Sequence, residues 1–303
     1  MKKISVVMII LLLLILGGMN TSSKLSEVPI KTKLPPLPEG DTQQSKENKA
    51  KPSFILPLGQ TIDQRFDVPQ GYHRVRFEEG SYEEYIRSLP LKPHGSEVHY
   101  FDGSVKRNRG VHEAVVDMDV GKRDLQQCAD AAIRIRAEYL YGQGKFDQIC
   151  FQFTNGFPAE YIKWMEGYRI SIEGNNTKWL KTAGPSNSYE SFRKYLDIVF
   201  AYAGTLSLAR ELQPVEVEDL TIGDIIIKGG SPGHAVIVVD MIVHGKTGEK
   251  LFLLAQSYMP AQDIHVLSNP KDLEITPWYR IEQGKRLHTP EWTFDEVKIG
   301  RFK

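Results

Sequence analysis

The sequence predicts an α+β fold, because helical patterns fill the middle of the chain and strand patterns fill its last third. Residues 124–141 repeat apolar side chains at helical spacing. Residues 223–227, 234–243 and 250–256 are apolar runs separated by turn residues, which is typical of successive antiparallel strands. Helices grouped before a sheet favour α+β architecture over an alternating α/β arrangement.

The remaining elements follow from the same two periodicities. Residues 72–77 alternate like a strand, and Ser81 is a suitable N-cap for a short helix that ends near Leu89. Further along the chain we predict a hairpin of residues 98–101 with 111–120, a strand at 148–153, a short helix at 159–166 and a long helix at 188–212.

The start of the chain differs in composition from the rest. Lys2 and Lys3 precede an apolar run at residues 4–16, which is typical of a secretion leader. Residues 1–20 are therefore predicted to be a signal peptide, or an N-terminal anchor if the leader is not cleaved. Residues 21–53 are polar and proline-containing with almost no aromatic side chains, which predicts a disordered tether.

Residues 54–303 are long enough to form a single globular domain with one sizeable core. Either form of the leader predicts an extracytoplasmic domain, which is secreted or membrane-anchored by the N-terminus. Contact with a membrane is expected only through the N-terminal segment, if that segment is not cleaved.

The charge balance argues against one class of partner. Lysine plus arginine equal aspartate plus glutamate at 38 each, so no overall field would attract a nucleic acid. The eight histidines and two cysteines do not cluster along the chain, and we therefore expect no metal site. No other cofactor is implied.

Cys128 is the candidate nucleophile. With Asp124 as N-cap and Gln127 at position N3, the cysteine would lie in the first turn of a helix, where the dipole and the free amides favour the thiolate. On a helical wheel Cys128 shares the apolar stripe that would face a sheet, while Asp130 and Arg134 fall on the opposite, polar side.

Two other interpretations of Cys128 remain open at this point. Cysteine is often buried as an inert thiol, and the apolar stripe is compatible with that role. An exported protein also meets oxidising conditions, so a disulfide between Cys128 and Cys150, the two cysteines of the chain, is the second alternative.

His234 is the best-placed candidate for a base. It follows the turn at residues 231–233 and begins an apolar strand, so it would stand at the edge of the sheet. Gln256 ends the next strand, and its amide could orient the imidazole. Cys128, His234 and Gln256 therefore predict a catalytic triad. His265 is a reserve candidate for the third role, although alternation at residues 264–266 favours a solvated position for it.

These segments resemble the NlpC-type papain-like cysteine peptidases and amidases, which cut bacterial cell-wall peptides. The resemblance lies in Cys128 at a helix start, in Gly-Asp-Ile-Ile-Ile at 223–227 and in Gly-His-Ala-Val-Ile-Val at 233–238. It implies a papain-like core, with the helix bearing Cys128 packed on an antiparallel sheet and with inserted helices. The segment between Cys128 and His234 is longer than usual, and the third residue of that family is more often histidine.

Nearly the whole chain after the tether also resembles a bacterial family, domain of unknown function 4846 (DUF4846). The resemblance is carried by residues 87–92, 124–130, 153–157, 229–234 and 255–262. Membership of this family implies no activity.

Four further residues are candidates around the triad. Gln126 could contribute to an oxyanion site, Asn155 and Trp164 could line a cleft for a sugar or peptide, and Tyr258 could contact substrate. Each of the first three has an ordinary structural alternative: a solvated helix residue for Gln126, a turn for Asn155 and a core position for Trp164.

The predicted function is an exported cysteine hydrolase, a peptidase or amidase, with a cell-wall peptide as the implied substrate. The alternative is a catalytically inactive domain that binds the envelope or wall, since a fold needs the same core whether or not its thiol reacts. A third hypothesis is a structural partner in an envelope complex, with Cys128 and Cys150 joined as a staple.

Overall fold

An eight-stranded antiparallel sheet is the central element of the protein. The computed structural model describes residues 53–282 and 284–303, which belong to one compact unit. The predicted leader, residues 1–20, and the predicted tether up to residue 52 lie outside the described residues.

The described helices are α1 (Ile62–Arg65), α2 (Tyr82–Arg87), α3 (Cys128–Gly142), α4 (Tyr161–Met165), α5 (Tyr189–Tyr202) and α6 (Thr205–Glu211), with 3₁₀ turns at Phe146–Gln148 and Val217–Asp219. The described strands are β1 (Tyr72–Arg74), β2 (His112–Val115), β3 (Cys150–Gln152), β4 (Pro158–Glu160), β5 (Tyr168–Glu173), β6 (Asn176–Lys181), β7 (Gln213–Val215), β8 (Ile225–Lys228), β9 (His234–His244), β10 (Lys250–Gln256), β11 (His265–Leu267), β12 (Leu287–His288), β13 (Thr293–Phe294) and β14 (Ile299–Arg301).

The main sheet has the strand order β2-β11-β10-β9-β8-β14-β7, and β1 pairs with the far end of β9. Helix α3 packs against β9 and β10 near the centre of this sheet. Strand β9 is buried from His234 to Ile242; helices α1, α2 and α3 pack against it, and strands pair along both of its edges. The α+β prediction is confirmed, and so is the antiparallel order of β8, β9 and β10.

The start of α3 differs from the prediction by one turn. Gln127, not Asp124, is the N-cap, and the carboxylate of Asp130 accepts the backbone N–H of Gln127 at 3.0 Å. Asp124 does not cap the helix, and its carboxylate instead accepts the backbone N–H of Ala261 at 2.7 Å. Cys128 is therefore the first residue of the helix, which agrees with its predicted place in the first turn.

Arg134 lies on the side of α3 that was predicted to be polar and opposite the sheet, yet it is buried. Its side chain is 2% exposed and donates to the carboxylate of Glu138 at 2.6 Å and to the hydroxyl of Tyr189 at 3.1 Å. Helix α5 supplies this cover, so α3 is buried on two sides. A helical wheel infers burial from apolar side chains. It therefore does not reveal a side of the helix that is buried through a paired cation.

Two further predictions of secondary structure are corrected. The long helix at 188–212 is divided into α5 and α6, because the backbone of Gly204 is extended and its N–H donates to the hydroxyl of Ser207 at 3.0 Å, which starts a new helix. The hairpin of residues 98–101 with 111–120 does not form. Strand β2 pairs instead with β11, which follows it by about 150 residues in the sequence, a long-range pairing that local patterns do not reveal.

Within residues 53–282 and 284–303, no helix combines the length and the apolar character needed to cross a bilayer.

Candidate functional site

A cavity of about 750 Å³ opens where the first turn of α3 meets the start of β9. Cys128 lies on its wall, and so do His234, Tyr258, Trp292 and Asp130. Much of the remaining wall is built from small and apolar residues between 200 and 206 and from the turn at 230–233. The structure thus brings the predicted nucleophile and the predicted base to one cavity.

The turn before β9 sets the position of His234. An added Cβ at Gly233 would lie 2.3 Å from the hydroxyl of Thr205 and 2.4 Å from the carbonyl oxygen of Gly230, so only glycine fits there. The hydroxyl of Thr205 donates to that same carbonyl at 3.1 Å, which ties the start of α6 to the turn. His234 therefore enters the sheet from a closely packed turn.

Aromatic rings surround the imidazole of His234, which is 1% exposed. The ring centroids of Tyr258, Trp292 and Phe294 lie 5.0, 5.2 and 5.9 Å from that of the histidine. Burial disfavours the charged form and lowers the pKa of His234 to about 4. The imidazole is consequently neutral at neutral pH, as a general base must be.

Gln256 determines which nitrogen of His234 carries the proton. Its amide oxygen lies 2.8 Å from Nε2 of His234, and its amide nitrogen donates to the carboxylate of Glu291 at 2.9 Å. Because a carboxylate only accepts, the amide oxygen must face the imidazole, and Nε2 must be the protonated nitrogen. Nδ1 is then unprotonated and available to accept a proton.

The thiol of Cys128 is protonated near neutral pH, contrary to the expectation from its helix position. Burial raises its pKa to about 11, although the nearby backbone amide of Ala235, next to His234, opposes that shift. The amides of Cys128 and Ala129 at the helix start act in the same opposing direction. The increase in pKa from desolvation under β9 is larger than the decrease from the helix terminus, so the sulfur needs a base in order to react.

The disulfide alternative is wrong in this structure, because both cysteines are free thiols in the described part of the chain. Cys150, on β3, lines a different cavity together with Leu140, near the far end of α3. Leu140 follows Cys128 by twelve residues, or about 18 Å of helix, whereas a disulfide needs Cα atoms within about 7 Å. Burial raises the pKa of Cys150 to about 11 as well.

Asp130 is a wall residue that the sequence did not indicate. Its Oδ2 caps the helix through the N–H of Gln127, while its Oδ1 is buried and has no hydrogen-bond partner among the described residues. Burial raises the pKa of this carboxyl to about 8. A protonated carboxyl on the cavity wall can donate a hydrogen bond, and its position two residues after Cys128 is the signal that could have identified it.

The family model described as "Domain of unknown function (4846)" matches residues 62–301. The chain belongs to this family. The predicted DUF4846 resemblance is therefore confirmed, and it extends over α1 to β14. Neither the curated proteins nor the solved structures contain a match to this DUF4846 chain.

Three of the four candidates predicted around the triad do not line the cavity of this DUF4846 chain. Gln126 is 1% exposed, and its amide oxygen accepts from Arg134 at 3.3 Å on the far side of α3. Asn155 is exposed and donates to the hydroxyl of Thr177 at 2.8 Å. Trp164 is in the core and donates to the hydroxyl of Ser191 at 3.0 Å. The alternatives given for Asn155, a turn, and for Trp164, a core position, agree with the structure. The alternative given for Gln126, a solvated helix residue, does not, because Gln126 is buried.

Tyr258 and His265 are the remaining candidates. Tyr258 lines the cavity and packs on His234, as its predicted contact with substrate requires. His265 is fully buried, not solvated, because β11 is an inner strand of the sheet. Its Nε2 lies 3.5 Å from the amide nitrogen of Gln256, so it adjoins the predicted triad.

Proposed function

We propose that this chain is an exported cysteine hydrolase, a peptidase or amidase with a papain-like core, in which Cys128 is the nucleophile, His234 the base and Gln256 the orienting residue. The observation that carries the proposal is that His234, which lines the same cavity as Cys128, is hydrogen-bonded to Gln256 at 2.8 Å. This bond selects the histidine tautomer that a general base requires.

The chemical steps follow from the protonation states. Nδ1 of His234 accepts the thiol proton as the sulfur of Cys128 attacks an amide or ester carbonyl. The leaving group takes the proton from the imidazolium, and water then hydrolyses the thioester. The N–H groups of Cys128 and Ala129 precede the first intrahelical bond, from Ala131 to Gln127, so they can turn from the sulfur to an oxyanion that forms beside it.

A wall peptide is the proposed substrate class. The cavity of about 750 Å³ falls in the size range of small-molecule sites and accommodates a short peptide. The order of helix, His234 strand and Gln256 strand supports the resemblance to NlpC-type enzymes, and the predicted leader would bring the domain to the wall. The extracytoplasmic location is part of this proposal.

A binding domain without catalysis is the second candidate. The raised pKa of Cys128, about 11, favours it, because a thiol that keeps its proton would leave a cavity able to bind a peptide but not to cut it. The two candidates differ in whether His234 deprotonates the sulfur.

Alkylation of the two cysteines by iodoacetamide in the full chain distinguishes the candidates. Burial raises the pKa of both thiols to about 11, so Cys150 is an internal control without a histidine on its cavity wall. We expect Cys128 to react about 100-fold faster than Cys150 at pH 7 if His234 acts as its base. The excess rate should persist as the pH falls and disappear near pH 4, where the imidazole becomes protonated.

The replacement His234→Ala should lower the rate at Cys128 to that at Cys150, while His99→Ala, at a half-exposed histidine outside the cavity, should leave both rates unchanged. Equal rates for the two cysteines in the unmodified chain would contradict the hydrolase proposal and favour the binding domain. Peptide mass spectrometry assigns each adduct to its cysteine.

A further inference from the structure

A buried ion pair lies behind the triad. The carboxylate of Glu291 accepts from Nζ of Lys106 at 2.8 Å, and both side chains are at least nine-tenths buried, with 10% and 4% exposure. Lys106 also donates to the amide oxygen of Gln262 at 2.6 Å. Replacing such a pair by apolar side chains often leaves the free energy of unfolding unchanged or increases it. The pair is therefore a weak source of stability, but it affects the groups beside it.

The neighbour that matters is the amide of Gln256. A glutamine amide has two orientations of nearly the same shape, which differ in whether oxygen or nitrogen faces a given partner. The same Oε2 of Glu291 that binds Lys106 also accepts from the amide nitrogen of Gln256 at 2.9 Å. The reversed amide would direct its oxygen at this carboxylate and lose the bond.

A second acceptor supports the same orientation. Nδ1 of His265 lies 2.8 Å from the carbonyl oxygen of Asp263, so Nδ1 carries the proton and Nε2 of His265 is an acceptor. That Nε2 faces the amide nitrogen of Gln256 at 3.5 Å. This longer contact is weaker than the one to Glu291, so Glu291 is the main determinant of the orientation of the Gln256 amide.

We infer that Glu291, held in place by Lys106, is a positioning residue that sets the tautomer of His234 through Gln256. With Glu291 present, the oxygen of Gln256 accepts Nε2–H and leaves Nδ1 unprotonated. Without it, the amide can reverse and donate to Nε2, which places the proton on Nδ1 and removes the base. The consequence for catalysis rests on the proposed function, but the tautomer does not.

The test is ¹⁵N NMR of the full chain labelled in histidine, at pH 7. In the unmodified chain we expect His234 to be protonated at Nε2. In the double variant K106M/E291L, which removes both charges together, we expect a substantial Nδ1–H population and an alkylation rate at Cys128 lowered about tenfold, the effect of losing roughly one hydrogen bond.

The conservative variant E291Q is the matched control. Its amide oxygen can replace Oε2 toward Lys106 and Gln256, and its nitrogen would displace only the 3.1 Å bond from Asn108 to Oε1. We expect E291Q to keep the Nε2–H tautomer and the alkylation rate. If K106M/E291L shows no cooperative unfolding transition, E291M replaces it, since Lys106 keeps its bond to Gln262 in that variant.

Unchanged Nε2–H protonation in folded K106M/E291L, or in E291M where that variant replaces it, would overturn the inference, and so would Nδ1–H protonation in the unmodified chain. A tautomer shift in a chain that hydrolyses no amide would uphold the inference about Glu291 while contradicting the proposed function. The two failures are therefore distinguishable.

Discussion

Replacing Cys128 by serine is expected to lower the hydrolysis of wall peptides about 10³-fold or more, because a hydroxyl is a far weaker nucleophile and the neutral imidazole of His234 cannot readily deprotonate it. The change is a single atom at the first residue of α3, so the fold and the cavity should persist. Turnover is measured by mass spectrometry as the appearance of new amino and carboxyl ends in purified wall peptides.

The matched control is Cys150→Ser, which makes the same change at a thiol with the same raised pKa on a different cavity. We expect this variant to retain activity within about two-fold, as for most changes away from a site. Comparable losses in both serine variants would indicate damage to the fold. Full activity in the Cys128 variant would show that the sulfur is not the nucleophile.

Replacing Asp240 by alanine is expected to have the largest effect on stability. This carboxylate is fully buried on β9 and accepts from Nε of Arg74 at 2.9 Å and from Nε of Arg87 at 2.7 Å. Its loss leaves two partly buried guanidinium groups without a counter-charge, and breaking a buried pair in this way costs about 3–5 kcal/mol. Urea denaturation of the full chain measures the change in the free energy of unfolding.

An exposed aspartate–arginine pair supplies the comparison for Asp240. Asp295 lies 3.1 Å from Arg286, and both side chains are about two-thirds exposed. We expect Asp295→Ala to change the free energy of unfolding by at most about 1 kcal/mol, since solvent screens such pairs. A similar small change for Asp240→Ala would mean that these ion pairs add little to the strand pairing and packing that hold β1 and α2 to β9.

The elements predicted best are those whose patterns are local and strong. Helix α3 repeats apolar residues at helical spacing, and strands β8, β9 and β10 are apolar runs next to turn residues, so their sequence alone indicates them. The hairpin of β5 and β6 was missed because its residues are mainly half-buried or exposed and show little contrast between faces. The partner of β2 was missed because it lies far along the chain.

The candidate site shows the same division between local and long-range information. His234 and Gln256 were found because each occupies one end of a recognisable strand, and the structure joins them by a hydrogen bond. Glu291 and Lys106 were not found, because they meet across 185 positions of sequence and neither lies in a patterned segment. Long-range polar contacts of this kind leave no periodic signal.

The expectation for the thiol pKa failed for a physical reason. A cysteine in the first turn of a helix gains from the dipole and the free amides, and Cys128 does occupy that position. The same position places the sulfur against β9, beside the backbone of Ala235, where burial raises the pKa to about 11. Sequence reveals the helix terminus, but the depth of burial depends on the tertiary packing.

Trapping of an acyl-enzyme tests the central claim most directly. The full chain is mixed with an activated ester of a short acyl group, quenched at low pH within the first turnover and digested for peptide mass spectrometry. The account predicts a thioester on Cys128, lost in the Cys128→Ser variant and strongly reduced in His234→Ala. An acyl group found only on Cys150 or on surface lysines, or an adduct on Cys128 that forms equally well without His234, would contradict it.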